Sequence, residues 1–423
     1  MKIAIVVAAH DGIVSLVTGV GVVVNSFVES FSEIKSYCKL FANNEVNLIC
    51  LPPYLNKNSP DFNQTIKKIS EDSCKITGGV LLDLPTFSDG ASEGSVWGNC
   101  LQWKSASLSV AVYLKSIEQK YDKIILLAND TIFSAVRGFI PSMKNLNIIW
   151  IPHSLGRVFE DEFSNLERIS FEEKSISELI KSDKDYIGYI GDSFKEVLIK
   201  KYLTPENKLL PFKNGLYLNS HRYKINENIC KELLEKYNIP SDKKIIFSWG
   251  RCVNQKGYDV LIPACKLFLE SNPHYYLVLL MPTETSPPEY VDKIKKELLQ
   301  IDLDKFSAIY QFDEYLPYAI LKSNNLDILA FPSRFEGEAI TALEANALAN
   351  NGVKIIYNPI PPNKERFLSN PLAIALTALN KEAILNALEY AKNFNKNEYF
   401  QTNKKGSDIV NNYSEGFNLI KNG

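Results

Sequence analysis

No two of the seven cysteines (Cys38, Cys50, Cys74, Cys100, Cys230, Cys252, Cys265) have Cys-x-x-Cys spacing, and their number is odd. That argues against a zinc site or a disulfide frame and for free thiols in a reducing compartment. Histidine is scarce: His10, His153, His221 and His274 stand far apart, so no local metal cluster is expected. Net charge is nearly absent too. The 47 Lys and Arg against 49 Asp and Glu leave −2. That excludes a chain built to coat nucleic acid or an anionic membrane and leaves room for one local basic site. An apolar run of spanning length is also missing. Residues 12–28 carry no charge, but 17 residues with Thr18, Asn25 and three glycines fall short of the roughly 20 needed. The apolar run at residues 3–9 ends at His10-Asp11 without a cleavage pattern, so it does not read as a signal peptide. A cytoplasmic protein with no integral membrane span is expected, and the Asn-x-Ser/Thr sites at Asn63, Asn129 and Asn412 then mean little. No short-period repeat occurs, which excludes solenoids and propellers.

What is present is enough for two domains. The chain has 423 residues, 45% hydrophobic, 23% charged and 11% aromatic, a composition that builds cores and does not stay disordered. Short β-branched runs alternate with helical patterns. Strands are expected at residues 3–8, 46–51, 123–128, 147–152 and 186–190, then at 244–249, 275–281, 326–331 and 353–357. Continuous apolar strands between helices signal parallel sheets covered on both faces. Turn signals at Asn214-Gly215 and Pro240-Ser241-Asp242 separate two such series. The fold class expected is therefore α/β, with two doubly wound domains. The apolar stretch 409–420 reads as a final helix that docks back.

In open parallel sheets, ligands sit beyond the carboxyl ends of the strands. Four such places carry chemistry. Thr18-Gly19-Val20-Gly21 follows the first strand and precedes a helix pattern. Gly19 and Gly21 would let backbone approach a phosphate at a positively polarised helix N-terminus. Val24 stands where a dinucleotide fingerprint has its third glycine, and a tight turn reads equally well. Gly250-Arg251-Cys252-Val253-Asn254-Gln255-Lys256-Gly257-Tyr258-Asp259 follows strand 244–249. Arg251 and Lys256 could neutralise a diphosphate, one as a planar fork and one as a point charge, with Asp259 placed to cap or open the next helix. A solvated surface pair is the bland reading. After strand 326–331, Glu336 and Glu344 have seven residues between them. Glu344 shares the apolar column of Ile340 and Leu348, so it needs a partner or faces a ligand. The free amides of Glu338, Ala339 and Ile340 could meet an anion. Alternatively Glu336 complements the helix dipole and Glu344 sits at the rim of the packed face. The fourth place is His153, directly after strand 147–152, which could hydrogen-bond a sugar or act as an acid or base, or do neither.

Gly250-Arg251 with Lys256-Gly257-x-Asp259, then Pro332-Ser333-x-Phe335-Glu336 with seven residues before Glu344, resemble the retaining glycosyltransferases of the two-Rossmann (GT-B) kind. These are the group 1 enzymes, which include glycogen and sucrose synthases. Thr18-Gly19-Val20-Gly21, His153 and Asn214-Gly215 support the resemblance, which spans most of the chain and is strongest over residues 245–347. It implies two Rossmann-like doubly wound domains facing a cleft: an acceptor domain over residues 1–212 and a nucleotide-sugar donor domain over 213–395, with 396–423 packing back toward the first. It implies that Arg251, Lys256 and the amides at Ala339 and Ile340 hold the donor diphosphate. Glu336 and His153 would be the catalytic pair on the donor sugar, Glu344 would take the ribose, and the Gly19 and Gly21 loop would close over the reacting centre. The co-substrate implied is a nucleotide sugar, UDP-sugar favoured, with no cofactor and no metal. A front-face displacement would retain the anomeric configuration, with the leaving phosphate taking the acceptor's proton. The sequence departs from the family in having Ala339 for a usual glycine and Glu338 for an apolar or small residue. It also reads Tyr357-Asn358-Pro359-Ile360-Pro361-Pro362 where the family has Gly-Gly-x-x-Glu.

Residues 76–103 contain no Lys or Arg, but hold Asp83, Asp89 and Glu93 with Phe87, Trp97 and Trp103. Aromatic faces suit a ring and unpaired acids suit a cation, so Asp89, Glu93 and Trp97 point to a small amine-bearing acceptor such as an aminocyclitol or amino sugar. A solvated acidic loop fits as well. Cell-surface polysaccharide or lipid-linked acceptors stay open, as do a nucleotide-sugar epimerase and a non-catalytic relative that binds sugar nucleotide. The oligomeric state is not set by the sequence. A metal-dependent GT-A enzyme is not expected, because Asp183-Lys184-Asp185 and Asp302-Leu303-Asp304 fall in helix-like or linker contexts.

Overall fold

The computed structural model describes residues 1–85, 98–140, 142–159, 166–284, 286–394 and 408–420. The chain forms two compact units, one of Met1–Leu218 with Gly406–Gly423 and one of Asn219–Lys405.

The first unit is built on strands β1 (Lys2–Ala8), β2 (Glu45–Leu51), β3 (Val80–Leu81), β4 (Lys123–Asn129), β5 (Leu146–Ile151), β6 (Tyr186–Tyr189) and β7 (Leu209–Pro211). Their order is 3-2-1-4-5-6-7, and every pairing is parallel. Val6 sits between Ile49 and Leu126 in register, and all three are buried. Such strands read as continuous apolar runs because helices cover both faces. The second unit carries β8 (Lys244–Trp249), β9 (Tyr275–Leu280), β10 (Phe306–Ile309), β11 (Leu326–Phe331), β12 (Lys354–Tyr357) and β13 (Ala373–Ala375), in the order 10-9-8-11-12-13 and again all parallel. Its core packs the helix Tyr258–Ser271 through Leu261, Cys265 and Phe268 onto Leu277 and Leu279 of β9 and Ile328 of β11.

All nine expected strands are present. The four not foreseen, β3, β7, β10 and β13, are the four sheet edges. The sequence reading divided the chain after residues 212 and 395; the structure divides it after Leu218 and Lys405. Residues 213–218 stay with the first unit because the Asn214 amide donates to Ile190 O at 2.9 Å and Leu216 O accepts from the Ile409 amide at 3.2 Å. The helix Ile409–Asn418 packs on the helix Gly19–Tyr37 through Tyr413 on Phe27 and reaches Phe41 through Phe417. Gly416 makes this docking possible, since a Cβ there would lie 2.4 Å from Pro211 O. No helix among the described residues is long and apolar enough to cross a membrane.

Each sheet reverses its direction of growth once, between β1 and β4 and between β8 and β11. A crevice opens beyond the carboxyl ends of the strands at such a reversal. The loops after β8 and β11, and those after β1 and β4, are thereby the first places to look for chemistry.

Candidate active site

In the second unit the loops after β8 and β11 are tied together. Gly257 adopts φ +71°, and a Cβ there would lie 2.2 Å from Pro332 O, so glycine is required twice over. The Arg334 amide donates to Gln255 O at 2.7 Å, and its guanidinium holds both oxygens of Asp259, at 2.9 and 3.0 Å. Asp259, expected to cap or open the helix Tyr258–Ser271, opens it: Gly257 is the cap residue, and Asp259 lies in the first turn, where it serves Arg334, Lys293 and Tyr290. The guanidinium and the ammonium hold its carboxyl below the usual range against its own burial.

This clamp brings Lys256 to Glu336. Lys256 Nζ lies 2.5 Å from Glu336 Oε1, and Gln255 Nε2 donates to Glu336 Oε2 at 3.1 Å and to Phe335 O at 3.0 Å. The two side chains read separately as a phosphate cation and a sugar carboxylate are therefore partners of each other. Gln255 was not singled out in the sequence; only its place beside Lys256 could have suggested it. Arg251 is exposed and makes no ion pair among the described residues. Further along the same loop, the helix Ile340–Leu348 starts at Ala339 with no capping side chain. Its first amides have no partner within the helix and stand at the dipole's positive end. Ala339 and Ile340 are both buried.

Glu344 is buried, 4% exposed, and accepts from the Tyr318 hydroxyl at 2.7 Å. That hydroxyl in turn accepts from Arg222 Nη2 at 2.7 Å. Burial pushes the Glu344 carboxyl up, against the pull of the Arg222 charge. Glu344 thus has the partner that its apolar column demanded, and Arg222 and Tyr318 are site neighbours with no sequence signal. Glu338 pairs with Arg366, Nε to Oε1 at 2.6 Å, and burial pushes its carboxyl up to about 7.

In the first unit the helix Gly19–Tyr37 is closed at its start. Asp11 Oδ2 accepts from the amides of Val17 and Thr18 at 3.1 and 2.7 Å and from the Thr18 hydroxyl at 2.8 Å. Thr18 caps Gly21 N at 3.3 Å. A Cβ on Gly21 would lie 2.4 Å from the Asp11 carboxylate, whereas Gly19 is exposed. Gly21 thus makes room for Asp11, whose carboxylate takes the amides of Val17 and Thr18 just ahead of Gly19.

His153, just past β5, is buried, and its Nε2 lies 3.0 Å from Asn129 Oδ1. Asn129 Nδ2 donates to Ala8 O and Leu127 O, so Oδ1 is an acceptor and the histidine proton sits on Nε2. Nδ1 is left as a buried lone pair without a partner. Burial, and then His10, pushes the ring down to about 3, so the imidazole is neutral near neutral pH. It can accept a hydroxyl's proton in a hydrogen bond but does not supply a cation. Asp130, next to Asn129, was missed by sequence reading. Its φ of 66° and ψ of 177° fall in a region that side chains rarely adopt, held by Ile151 O and by Trp150 Nε1 on its carbonyl. Asp89, Glu93 and Trp97, expected at the acceptor, lie outside the described residues.

Residues 231–405 match the family described as glycosyl transferases group 1. The comparison with curated proteins gave no match. Among solved structures, a glycosyltransferase from Rickettsia africae is 16% identical, aligned over 99% of this chain and 92% of its own with a TM-score of 0.61. Sucrose-phosphate synthase from Thermosynechococcus elongatus is 14% identical over 99% and 95%, with a TM-score of 0.62. Anabaena HepE, solved in complex with UDP and glucose, is 12% identical over 99% and 94%, with a TM-score of 0.61. At such identities the likeness establishes the fold. The clamped loops after β8 and β11 lie within residues 231–405, the part that matches the glycosyl transferases group 1 family, and the chain that carries them has the GT-B fold.

Proposed function

We propose that the protein is a retaining glycosyltransferase that moves a hexose, or an N-acetylhexosamine, from a nucleoside diphosphate sugar to an acceptor hydroxyl, with UDP-sugar the favoured donor. The observation that carries this reading is the Lys256–Glu336 pair on the two loops at the β8/β11 reversal, one of which runs on into an uncapped helix N-terminus. A diphosphate arriving there meets the Ala339 and Ile340 amides, the Lys256 ammonium and the unpaired Arg251 fork. Lys256 then shares its charge with the phosphate, and the Glu336 carboxylate gains an oxygen for the sugar hydroxyls. The neutral His153 Nδ1 accepts from a further hydroxyl.

In the step proposed, the bond from the anomeric carbon to the phosphate oxygen breaks. The acceptor oxygen bonds to that carbon on the same face, and its proton passes to the departing phosphate. Each carboxylate described at the β8 and β11 ends has a partner, Glu336 in Lys256, Glu338 in Arg366, Glu344 in Tyr318 and Asp259 in Arg334, and direct displacement needs none of them as a nucleophile.

A thermal-shift panel of nucleotide sugars, followed by nucleoside diphosphate release with and without acceptors, tests the reading. Release that needs both an acceptor and Lys256 is expected. Isomerised donor without an acceptor would mean an epimerase, and binding without release a non-catalytic relative. The acceptor proposed is a small amine-bearing ring, read by Asp89, Glu93 and Trp97. Unchanged acceptor affinity and salt dependence after neutralising Asp89 and Glu93 would dismiss it in favour of a polysaccharide or lipid-linked acceptor.

A further inference from the structure

Three of the chain's buried guanidinium–carboxylate contacts differ in one respect. In Arg137–Asp185 the Nε and Nη2 edge takes both carboxylate oxygens, at 2.5 and 2.7 Å. In Arg168–Glu172, Nε meets the carboxylate and Nη2 finds Ser154 Oγ at 2.7 Å. In Glu338–Arg366, Nε donates to Oε1 at 2.6 Å, while Glu338 Oε2 and Arg366 Nη2 are both buried without a partner. The fork is half closed. An unpaired acceptor and an unpaired donor are left on two side chains already in contact, 1% and 12% exposed.

A third orphan stands one helical turn away. Asn363, three residues before Arg366 in the helix Pro361–Phe367, is 1% exposed; its Nδ2 donates to Asn358 O at 3.3 Å and its Oδ1 has no partner. Asn358 Nδ2 donates to Ser333 O at 2.8 Å, so the loop after β12 is fastened to the loop after β11 that carries Glu336 and Glu338. The charge on Glu336 is close enough to bear on the Glu338 carboxyl. Leaving three buried polar atoms unsatisfied in one loop cluster costs roughly 1–3 kcal/mol each unless a ligand or water completes them.

The chemistry of the gap selects its occupant. An anion cannot donate to Oε2, and a cation cannot accept from Nη2. A hydroxyl does both, closing the fork by donating to Glu338 and accepting from Arg366. A second hydroxyl on the next carbon would donate to Asn363 Oδ1. We propose that Glu338, Arg366 and Asn363 form a hydroxyl-reading subsite beside Glu336, which takes a vicinal diol of the sugar carried by the nucleotide. This rests on the nucleotide-sugar reading above. Glu338 is one of the places where the chain departs from its family, and Asn363 and Arg366 follow directly on another, so the subsite sets donor choice in this chain.

The test is calorimetric titration of the intact protein with the nucleoside diphosphates, their glucosyl forms, and glucosyl donors deoxygenated at one sugar position at a time. If no nucleoside diphosphate or its sugar binds, the donor reading falls and the subsite with it. If they bind, wild type is expected to lose about tenfold in affinity on removal of one or two adjacent hydroxyls. Arg366→Lys, which keeps the charge and loses the fork, should bind the bare nucleoside diphosphate within about twofold of wild type. It should bind the sugar form about tenfold more weakly and no longer notice the missing hydroxyl. If Arg366→Lys does not fold, Asn363→Ala serves for the second hydroxyl, and the wild-type deoxy series stands without any variant. Equal binding of every deoxy donor by wild type would leave the cluster a water-filled gap and overturn the subsite, while the donor reading survived.

Discussion

Lys256 and Glu336, 80 positions apart, neutralise each other inside the second unit with side-chain exposures of 15% and 8%. Breaking a buried pair from one side strands the other charge. Lys256→Ala is expected to cost about 3 kcal/mol of stability as well as donor binding, at the lower end for buried pairs because some solvent remains. Lys256→Met with Glu336→Gln should recover most of the stability and none of the activity, which urea denaturation and donor turnover would separate. Protonation gives two predictions of opposite sign. The Glu338 carboxyl is raised by burial to about 7, so its stabilising, protonated form is complete below its unfolded value near 4.5 and lost as pH rises through about 7. Wild type should therefore lose on the order of 3 kcal/mol relative to Glu338→Gln across that window, and stay level outside it. His153 is pushed down to about 3, so what its neutral form contributes is present above about 6.5 and lost as pH falls toward 3. His153→Gln should accordingly resist acid better than wild type in denaturation midpoints taken across that range.

The clamp between the β8 and β11 loops turns on Gly257, where φ is +71° and a Cβ would lie 2.2 Å from Pro332 O. Gly257→Ala should destabilise the second unit by about 2 kcal/mol or more and separate Lys256 from Glu336, abolishing turnover. Gly138→Ala, at a helical glycine with nothing within 4 Å of an added Cβ, is the control and should change stability little. Both would be read by denaturant midpoint. What was legible in the sequence follows the same geometry. Interior strands such as β1 and β11 are buried along nearly their whole length, and so announce themselves as apolar runs. Each edge strand pairs on one side only: β3 is two residues long and β13 three, too short and too mixed to show a pattern. At the site, spacing brought out Lys256, Glu336 and Glu344. It could not show that the first two bond each other, that Asp259 serves Arg334, or that Tyr318 and Arg222 stand behind Glu344. Those partners come from other elements, and only the folded loops set them side by side.

The last helix belongs to the first unit. Phe417 lies among Phe27, Phe41 and Phe212, with ring centroids 6.2, 5.0 and 5.4 Å away, and is fully buried. Asn418 Oδ1 accepts from the Lys39 amide at 2.8 Å. The first sheet therefore cannot complete its packing until the second unit's residues have been made, whereas the second unit is continuous in sequence. Long loop closure of this kind slows folding more than it costs stability. Phe417→Ala removes an aromatic from the centre of that cluster and should cost the first unit about 3–5 kcal/mol. Hydrogen exchange resolves where the loss falls. Amides of β1 and β4 should exchange faster in the variant, while those of β8 and β11 keep their wild-type rates. Equal acceleration in both sheets would mean that the units open as one cooperative body and that the helix stabilises the whole chain. Acceleration confined to the helix itself would mean that it frays without the first sheet noticing. The expected pattern lies between these, because its contacts are with the helix Gly19–Tyr37 and with β7, a strand of the first sheet, and neither belongs to the second unit.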